Sequence, residues 1–496
     1  MDTILFWNDV AMEVHRRDFD QPKGSMPEVG GPTRVSRAFA IVHASIYNAW
    51  TATTAGLAQV YAPVPMPLPP PGLNPDAAVA GAAIATLRQL WPKQTDYITQ
   101  KASEFYDSLV QGGIPSAVIY PSSNYGEALG LALVNFRRND GSTQPDDNAY
   151  IPAPPRHQAD PMAPKQARLS THWGDMVPFA INGGNAGVAH AAYLDPHPGF
   201  GTPRYAAAVA DVKENGRAMS VFPHARERTP EETVIGTFWG YDGSKKLGVP
   251  PRLYNQVVRA FMQTRENAGE ILSSADRAKL FALVHLGMAD AAIVAWGAKY
   301  HYDLWRPVIG IRQHDLGYGP NHGIHTSPAS PHCDPFWLPL GAPRTNVLGE
   351  FSRTPDFPAY PSGHATFGAV SLRMTALFYA DKFGAPVKTV LRSQEFTFVS
   401  DEFDGVNQDP RGDIRVRHAR ELTLAKAIVE NALSRVYLGV HWRFDGLGTK
   451  APAGLEGEAL PADPANGVQL TSPEEKKIGG VPAGLKIADE VFAAFP

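Results

Sequence analysis

The sequence predicts a mainly α-helical protein, built from two packed helix-bundle halves that are joined by long irregular loops. Apolar residues recur with a period near 3.6 along most of the chain, which is the spacing of helices with one buried face. Strand-like segments are sparse, and residues 396–400 form one short candidate. Gly and Pro, at 45 residues each in a chain of 496, indicate long connections between the helices.

The predicted helices fall into two groups. The N-terminal group lies at 3–18, 33–51, 76–92, 95–111, 124–138 and 203–218. The second group begins after Thr229, because Thr229-Pro230-Glu231-Glu232 combines an N-cap residue, a proline at the first helical position and a glutamate at the third. Its other helices are expected at 251–268, 275–303, 363–383 and 416–438, and a weak final helix near 484–494.

Two long irregular stretches organise the chain. Residues 139–202 are rich in Pro, Gly and Asn and predict a surface crossing between the two halves, and 313–360 predicts a second long loop. We therefore expect a structural N-terminal half at 1–221, a bundle that carries the functional site at 222–450, and a tail at 451–496.

Composition excludes several classes of function. Hydrophobic residues make up 44% of the chain, enough for a sizeable core, and the net charge of −4 contains no block of like charges. Binding to nucleic acid or to an anionic membrane by bulk electrostatics is therefore not expected. Cys333 is the single cysteine, so neither an intrachain disulfide nor a cysteine-based zinc site can form.

Neither a signal peptide nor a membrane span is visible in the sequence. The first residues lack the basic segment and the long apolar run of a signal peptide, and no stretch of about 18 uninterrupted apolar residues occurs. These patterns predict a soluble protein and leave its compartment open.

Lys299 and Arg306 form the first of three motifs that suit a tetrahedral oxyanion. They lie seven residues apart on a predicted helix, so that both cations point within about 20° of each other. Pro307 is expected to end that helix. Taken alone, the pair is more typical of an exposed basic stripe.

Ser362, Gly363 and His364 form the second motif. Ser362 fits the N-cap and Gly363 the first position of the following helix, and free backbone N–H groups at a helix start bind oxyanions. His364 has the titration range of a general acid or base. An ordinary helix cap beside a solvated histidine would have the same sequence.

Arg435, His441 and Asp445 form the third motif. A spacing of four residues places His441 and Asp445 on one helical face, where the carboxylate can receive one ring N–H and leave the other nitrogen free. Gly439 is a plausible helix break that turns Arg435 toward His441. Alone, this pattern is more typical of a surface interaction.

The three motifs together resemble the superfamily that contains vanadium-dependent haloperoxidases, acid phosphatases and lipid-phosphate phosphatases. Each motif occurs once, in the order of that superfamily. The resemblance is closest to the vanadium chloroperoxidases and extends over most of the chain, with the tail the weakest part. It includes Leu5-Phe-Trp-Asn-Asp, Phe238-Trp-Gly-Tyr-Asp-Gly, Phe357-Pro-Ala-Tyr-Pro-Ser-Gly-His and Gly439-Val-His-Trp-Arg-Phe-Asp.

The resemblance implies a site for vanadate, which phosphate can also occupy. His441 would be the protein ligand of vanadium, with Asp445 orienting its ring, and Asp242 would pair with Arg435. His364 would serve as acid and base toward an apical oxygen and bound peroxide, while Lys299 would polarise the peroxide. The groups implied to hold the oxygens of the anion are Lys299, Arg306, Ser362, Gly363 and Arg435.

The implied reaction is the oxidation of bromide, with chloride as a further substrate, by hydrogen peroxide to hypohalous acid. Hydrogen peroxide and halide are thus the expected partners, and the small organic acceptor is left open. Trp296 and Phe357 match the chloroperoxidase pattern, and an aromatic wall that excludes water would favour chloride oxidation. Simple core packing explains both aromatic residues nearly as well.

Two other functions use the same residues. In an acid phosphatase, His441 would attack phosphorus to give a phosphohistidine and His364 would protonate the leaving group. A non-catalytic oxyanion-binding protein is the third alternative, although binding alone requires neither histidine.

A histidine-rich stretch at 314–333 offers a separate hypothesis. Divalent metals favour histidine and carboxylate ligands, but polar residues that line an access loop are the more ordinary explanation. The residues concerned are His314, His322, His325, His332, Cys333 and Asp334.

Overall fold

The computed structural model describes most of the chain. Its described residues are 2–22, 25–57, 61, 65–151, 153–181, 190–218, 228–313, 333–447 and 477–495. The four histidines of the 314–333 stretch lie outside these ranges, as do most of the tail and the boundaries drawn at 221–222 and 450–451. The metal hypothesis and the division into halves therefore stay predictions.

The N-terminal helices pack closely because small residues face one another. They are α1 Thr3–Asp18, α2 Pro32–Thr54, α3 Pro75–Leu90, α4 Thr95–Gln111, α5 Ser116–Phe136 and α6 Pro203–Asn215. Helices α3 and α5 approach so closely that a Cβ on Gly81 or Gly126 would collide with the backbone of the other helix. This contact fixes α3 against α5 as one rigid unit.

The second group of helices carries the remaining core. It comprises α7 Pro230–Phe238, α8 Pro250–Asn267, α9 Ser274–Tyr302, α10 Pro307–Gln313, α11 Gly363–Phe383, α12 Val387–Ser393, α13 Leu424–Tyr437, α14 Arg443–Gly446 and α15 Gly480–Ala494. Helix α7 begins with the predicted capping box of Thr229 and Glu232. Two strands, β1 Phe396–Val399 and β2 Ala419–Leu422, pair antiparallel.

Helix α9 is the central element of the fold. It packs against α2 of the N-terminal group and against α11 and α15 of the second group. Among the described helices, it is the one long and apolar enough to cross a membrane, and 94% of that apolar stretch is buried within the fold. Within that stretch, His285 Nε2 lies 3.0 Å from Asn255 Oδ1 and Asp290 accepts the backbone N–H of Phe179 at 2.6 Å.

The mainly helical fold class is confirmed, with differences in particular elements. Residues 419–422 form a strand instead of the first turns of a helix, because Arg420 and Leu422 alternate inward and pair with β1. Helix α5 begins at Ser116 and continues through Pro121, whereas the predicted start was at 124. Two short helices, α10 and α12, have no predicted counterpart.

Candidate functional site

The three sequence motifs meet where α9 ends, α11 begins and α13 ends. Lys299 Nζ donates to the carbonyl of Pro361 at 2.5 Å, which joins the first motif to the second. The backbone N–H of Ser362 donates to the carbonyl of Asp445 at 2.8 Å, which joins the second to the third. Arg306 Nη1 lies 2.8 Å from His441 Nε2, which joins the first motif to the third.

The prediction that one helix carries both Lys299 and Arg306 is wrong. Helix α9 ends at Tyr302, and Asp303 has a left-handed backbone with φ of 48°. Arg306 lies beyond the helix, and Pro307 begins α10 instead of ending α9. Both cations are fully buried at 0% exposure, which excludes the exposed basic stripe.

Lys299 contacts the segment that leads into α11. Its Nζ donates to the carbonyls of Pro358 at 2.8 Å and Ala359 at 3.1 Å as well as to Pro361. Burial lowers the pKa of Lys299 well below its usual value, and the positive charge of Arg306 adds to this. Because all three N–H groups are engaged, Lys299 would have to release one carbonyl to bond to an anion.

Arg306 has one donor without a partner. Its Nε donates to the carbonyl of Phe357 at 2.9 Å, and its Nη1 donates to the carbonyl of Val440 at 2.8 Å as well as to His441. Its Nη2 has no hydrogen-bond partner within the described part of the chain. Burial lowers the pKa of Arg306 to about 9. A buried guanidinium donor without a partner is costly, and it marks a place for an acceptor.

The second motif forms the expected helix start. Helix α11 begins at Gly363, and the hydroxyl of Ser362 accepts the N–H of Ala365 at 3.4 Å. Gly363 has no side chain, and a Cβ there would come within 3.1 Å of the ring of Trp296. A glycine at this position therefore allows the tryptophan to pack directly on the helix N-terminus.

His364 is buried, with 7% exposure, so a solvated histidine is excluded. Its Nε2 lies 2.7 Å from the carbonyl oxygen of Gly240, an acceptor that sequence reasoning missed. Because a carbonyl only accepts, Nε2 carries the proton and Nδ1 has the lone pair. Burial lowers the pKa of His364 to about 3, and the charge of Arg435 contributes in the same direction.

The third motif is turned by Gly439, as its sequence indicates. Helix α13 ends at Tyr437, and Gly439 has φ of +70°, where a Cβ would collide with the carbonyl of Gly216. The resulting turn directs the chain back so that His441 lies beside Arg306. Only glycine satisfies both the conformation and the close approach.

The prediction that His441 and Asp445 share a helical face is wrong. His441 precedes the short helix α14, and Asp445 lies in the first turn of that helix. The Asp445 carboxylate reaches back to accept from His441 Nδ1 at 2.8 Å and from the N–H of Trp442 at 2.9 Å. The pairing is thus present, but a helix-capping carboxylate produces it.

This pairing leaves His441 Nε2 with a lone pair, which now accepts from Arg306. Burial lowers the pKa of His441 well below its usual value, with Arg306 and Lys299 adding to the shift. Burial raises the pKa of the Asp445 carboxyl to about 7, while Lys299 and Arg306 favour its charged form.

Arg435 forms the ion pair that the family resemblance implies. Its Nη1 and Nη2 donate to the two oxygens of Asp242 at 2.9 and 2.7 Å. Its Nε has no partner among the described residues, although Arg435 is 0% exposed. Arg306 and Arg435 thus each retain one unpaired donor.

Trp296 and Phe357 form an aromatic wall beside these cations. Their ring centroids lie 4.8 Å apart at 57°. Lys299 Nζ lies 5.5 Å from the Trp296 centroid and 5.1 Å from that of Phe357. The Arg306 guanidinium carbon lies 5.1 Å from the centroid of the Phe357 ring. Cation–π contacts thus hold both rings against the charged groups.

The charges of the site favour an anion with several oxygens. Three cations, Lys299, Arg306 and Arg435, face two carboxylates, Asp242 and Asp445, and the arithmetic of three minus two leaves one positive charge in excess. In the described part of the chain, no three His, Cys, Asp or Glu side chains cluster closely enough to hold a metal ion. The site suits an oxyanion better than a bare divalent cation.

Comparisons with known proteins identify relatives of this chain. Residues 279–453 match the family model described as the VCPO second helical-bundle domain. The chain is 30% identical over 571 residues to a vanadium chloroperoxidase of Curvularia inaequalis, covering 99% of this chain and 89% of that protein.

Two solved structures share the fold. A bacterial vanadium-dependent iodoperoxidase aligns with a TM-score of 0.63 and 20% identity, over 100% of this chain and 96% of that one. The holo form of a bacterial vanadium-dependent chloroperoxidase aligns with a TM-score of 0.59 and 13% identity, over 97% of each chain.

Proposed function

The chain belongs to the vanadium-dependent haloperoxidase family, and we propose that it oxidises bromide and chloride with hydrogen peroxide. The reaction consumes one hydrogen peroxide, one halide and one proton, and yields hypohalous acid and water. The observation that carries the proposal is the pair of buried, unpaired guanidinium donors, Arg306 Nη2 and Arg435 Nε, in the site that also holds His441.

The residues present fit vanadate. A dehydrated, multiply charged oxyanion needs cations and fixed donors around it, and the unpaired N–H groups of Arg306 and Arg435 are such donors. The Nε2 lone pair of His441 suits a metal ligand, because Asp445 holds the proton on Nδ1. Arg306 would release this nitrogen when the ligand bond forms.

His364 is suited to move the proton of the reaction. Bound vanadate supplies a Lewis acid that activates peroxide without a change of oxidation state. His364 is neutral above a pKa of about 3, so its Nδ1 lone pair can accept a proton from hydrogen peroxide. The hydrogen bond from Nε2 to Gly240 holds the neutral ring in this tautomer before the proton is transferred.

The aromatic wall supports oxidation of chloride as well as bromide. Trp296 and Phe357 are 1% and 8% exposed and cover one side of Lys299, so they exclude water from the group that would polarise bound peroxide. With less competing solvation, the charge of Lys299 acts more strongly on an oxygen beside it.

A second candidate function rests on the same histidine. His441, with Nδ1 bonded to Asp445 and a lone pair on Nε2, has the arrangement of an activated nucleophile. An acid phosphatase would use this lone pair to form a phosphohistidine, and His364 would protonate the leaving group. The similarity of nearly the whole chain to a vanadium chloroperoxidase favours halide oxidation over this alternative.

One pair of assays separates the two functions. The vanadate-free protein is supplied with orthovanadate and hydrogen peroxide, and halogenation of a phenolic reporter is followed with bromide, chloride or iodide. A parallel sample without vanadate receives p-nitrophenyl phosphate. We expect vanadate-dependent halogenation with bromide and chloride. Hydrolysis of the phosphate ester with no vanadate-dependent halogenation would overturn the proposal and support the phosphatase.

A further inference from the structure

Residues Gly240, Tyr241 and Asp242, called the 240–242 segment below, connect two groups of the site. The carbonyl of Gly240 accepts from His364 Nε2 at 2.7 Å. Two positions later, the carboxylate of Asp242 receives both terminal nitrogens of Arg435. The backbone of this segment therefore sets both the tautomer of His364 and the orientation of the Arg435 guanidinium.

Tyr241 lies between these two anchors in an unfavourable backbone conformation. It has φ of +47° and is fully buried. A bulky residue avoids this left-handed region unless its surroundings impose it. Its hydroxyl donates to Gln256 Oε1 at 2.8 Å and accepts the N–H of Asp401 at 2.9 Å. The ring is thus fixed at its far end by α8 and by the turn that begins at Asp401.

Glu402 supports the segment from the same turn. It is 0% exposed, and one carboxylate oxygen accepts from the Thr345 hydroxyl and from Arg415 Nη1, the latter at 2.8 Å. The other oxygen, Oε1, packs against Gly240, where an added Cβ would come within 2.8 Å of it, and has no hydrogen-bond partner among the described residues. Burial raises the pKa of Glu402 to about 7, while Arg415 and Thr345 favour the charged form.

We propose that Tyr241 and Glu402 are positioning residues, which act on the site through the 240–242 segment. They hold the Gly240 carbonyl against His364, so that the proton stays on Nε2 and the lone pair on Nδ1. They also hold Asp242 against Arg435, so that Arg435 Nε stays free for the anion. The role of these two effects in catalysis rests on the proposed function. The effects themselves, on the His364 tautomer and on the orientation of Arg435, do not.

The test uses Tyr241→Phe and Glu402→Ala in the full chain. Selective ¹⁵N labelling of histidine reports which ring nitrogen of His364 is protonated, and the His364 signals are assigned by their loss in His364→Ala. Calorimetry with orthovanadate reports the affinity of the pocket. Wild-type His364 should show a protonated Nε2, and both variants should populate the other tautomer and bind vanadate about 10- to 100-fold more weakly.

Matched controls separate positioning from general loss of stability. Tyr125→Phe also removes a tyrosine hydroxyl that donates to a carbonyl, and Glu266→Gln removes the charge of a glutamate that pairs with an arginine. Both should leave the His364 tautomer and the vanadate affinity unchanged. Glu402→Gln, which has the shape of glutamate, should recover most of the loss in Glu402→Ala.

An unchanged tautomer in Tyr241→Phe and Glu402→Ala, with vanadate affinity equal to that of the controls, would overturn the proposal. If Glu402→Ala does not fold, Tyr241→Phe decides by the same two readouts. Halide oxidation is not one of the readouts. A chain that binds vanadate without oxidising halide would therefore overturn the proposed function and leave this positioning role intact.

Discussion

Two buried regions of the molecule use histidines in opposite ways. The first, called the polar cluster here, consists of Asn8, His43, Asn255 and His285. The second is the oxyanion pocket, formed by Lys299, Arg306, Ser362, His364, Arg435 and His441. Both regions are closed to solvent, so every polar atom in them must find a partner or remain costly.

The polar cluster is largely paired within itself. Asn8 and Asn255 exchange side-chain hydrogen bonds at 2.8 and 3.1 Å. His43 Nε2 lies 3.0 Å from Asn8 Nδ2, and His285 Nε2 lies 3.0 Å from Asn255 Oδ1. The two imidazoles stack at 4.0 Å. Such a network stabilises the contact between α1, α2, α8 and α9 and offers no donor to a ligand.

The oxyanion pocket instead contains hydrogen-bond donors that have no partner within the part of the protein that the structure describes. Arg306 and Arg435 are as buried as the cluster residues, yet each holds one N–H group without a partner in the described part of the chain. The difference is that the pairing of the pocket is incomplete until an anion arrives. Buried histidines alone therefore do not identify a site, whereas two unpaired guanidinium donors in one pocket with a histidine lone pair do.

Removing His441 should have the largest effect on the pocket. We expect His441→Ala to lose about 10³-fold or more of the vanadate-dependent halogenation, because the nitrogen that suits vanadium is gone. Phosphate ester hydrolysis, if present, should disappear as well. His301→Ala, which removes an exposed histidine, is the control and should keep wild-type rates. Retained halogenation in His441→Ala would show that the pocket does not depend on this ligand.

Breaking the polar cluster should reduce stability without changing the pocket. Asn255→Leu removes the partner of His285 Nε2 and one partner of Asn8, which keeps His43 and Arg259. An unpaired buried group costs about 1–3 kcal/mol. Urea unfolding should show this loss, and calorimetry should show wild-type affinity for vanadate. Asn267→Leu, at the exposed end of the same helix, should change neither quantity. A weaker affinity in Asn255→Leu alone would mean that the two regions are coupled.

Acid should destabilise the polar cluster in a definite pH window. Burial lowers the pKa of His43 from 6.5 to about 4. The unfolded chain therefore takes up the proton first, and the stabilising contribution, complete above pH 6.5, is lost as the pH falls toward 4. When the pH falls from 7.5 to 5.0, the protonation of His43 should lower the free energy of unfolding by about 2 kcal/mol.

The variant His43→Gln measures this contribution. Its free energy of unfolding should fall less than that of the wild-type chain over the same pH interval, by about 2 kcal/mol. Saturating vanadate should not alter that difference, because the polar cluster makes no contact with the anion. An equal loss in both proteins would show that His43 is not a buried neutral histidine.

The smallest expected effect concerns the aromatic wall of the pocket. Phe357→His replaces an apolar ring beside Lys299 and Arg306 with one that hydrogen-bonds to water. We expect a several-fold lower ratio of chloride to bromide oxidation, measured as kcat/KM for each halide. Phe351→His, an exposed site six positions earlier, should leave the ratio unchanged. An unaltered ratio in Phe357→His would assign this ring to packing alone.

Much of this site could be predicted from the sequence because its residues are local. Ser362 caps α11 as its sequence indicates, and Gly439 turns the chain after α13. Each of these features depends on neighbours within a few positions, which sequence patterns describe well. The ion pair of Arg435 with Asp242 came from family resemblance, since 193 positions separate the two residues.

The wrong or missing predictions concern residues whose structure is set by tertiary contacts and not by local periodicity. Lys299 and Arg306 have helical spacing, yet the chain leaves the helix after Tyr302, and Trp305 pairs with the carbonyl of Pro155. The carbonyl partner of His364, Gly240, lies 124 positions away and has no side chain to signal its role. A backbone acceptor leaves no trace in a single sequence, so only the fold reveals it.

The most direct test is a titration of the vanadate-free protein with orthovanadate, in which bromination is measured at fixed hydrogen peroxide and bromide. The pocket of Arg306, Arg435 and His441 should bind one vanadate per chain, so activity should rise linearly and stop at one equivalent. Arg306→Met, which removes an unpaired donor, should shift the curve to higher vanadate. Bromination that is independent of vanadate, or that is absent at saturation, would contradict the account.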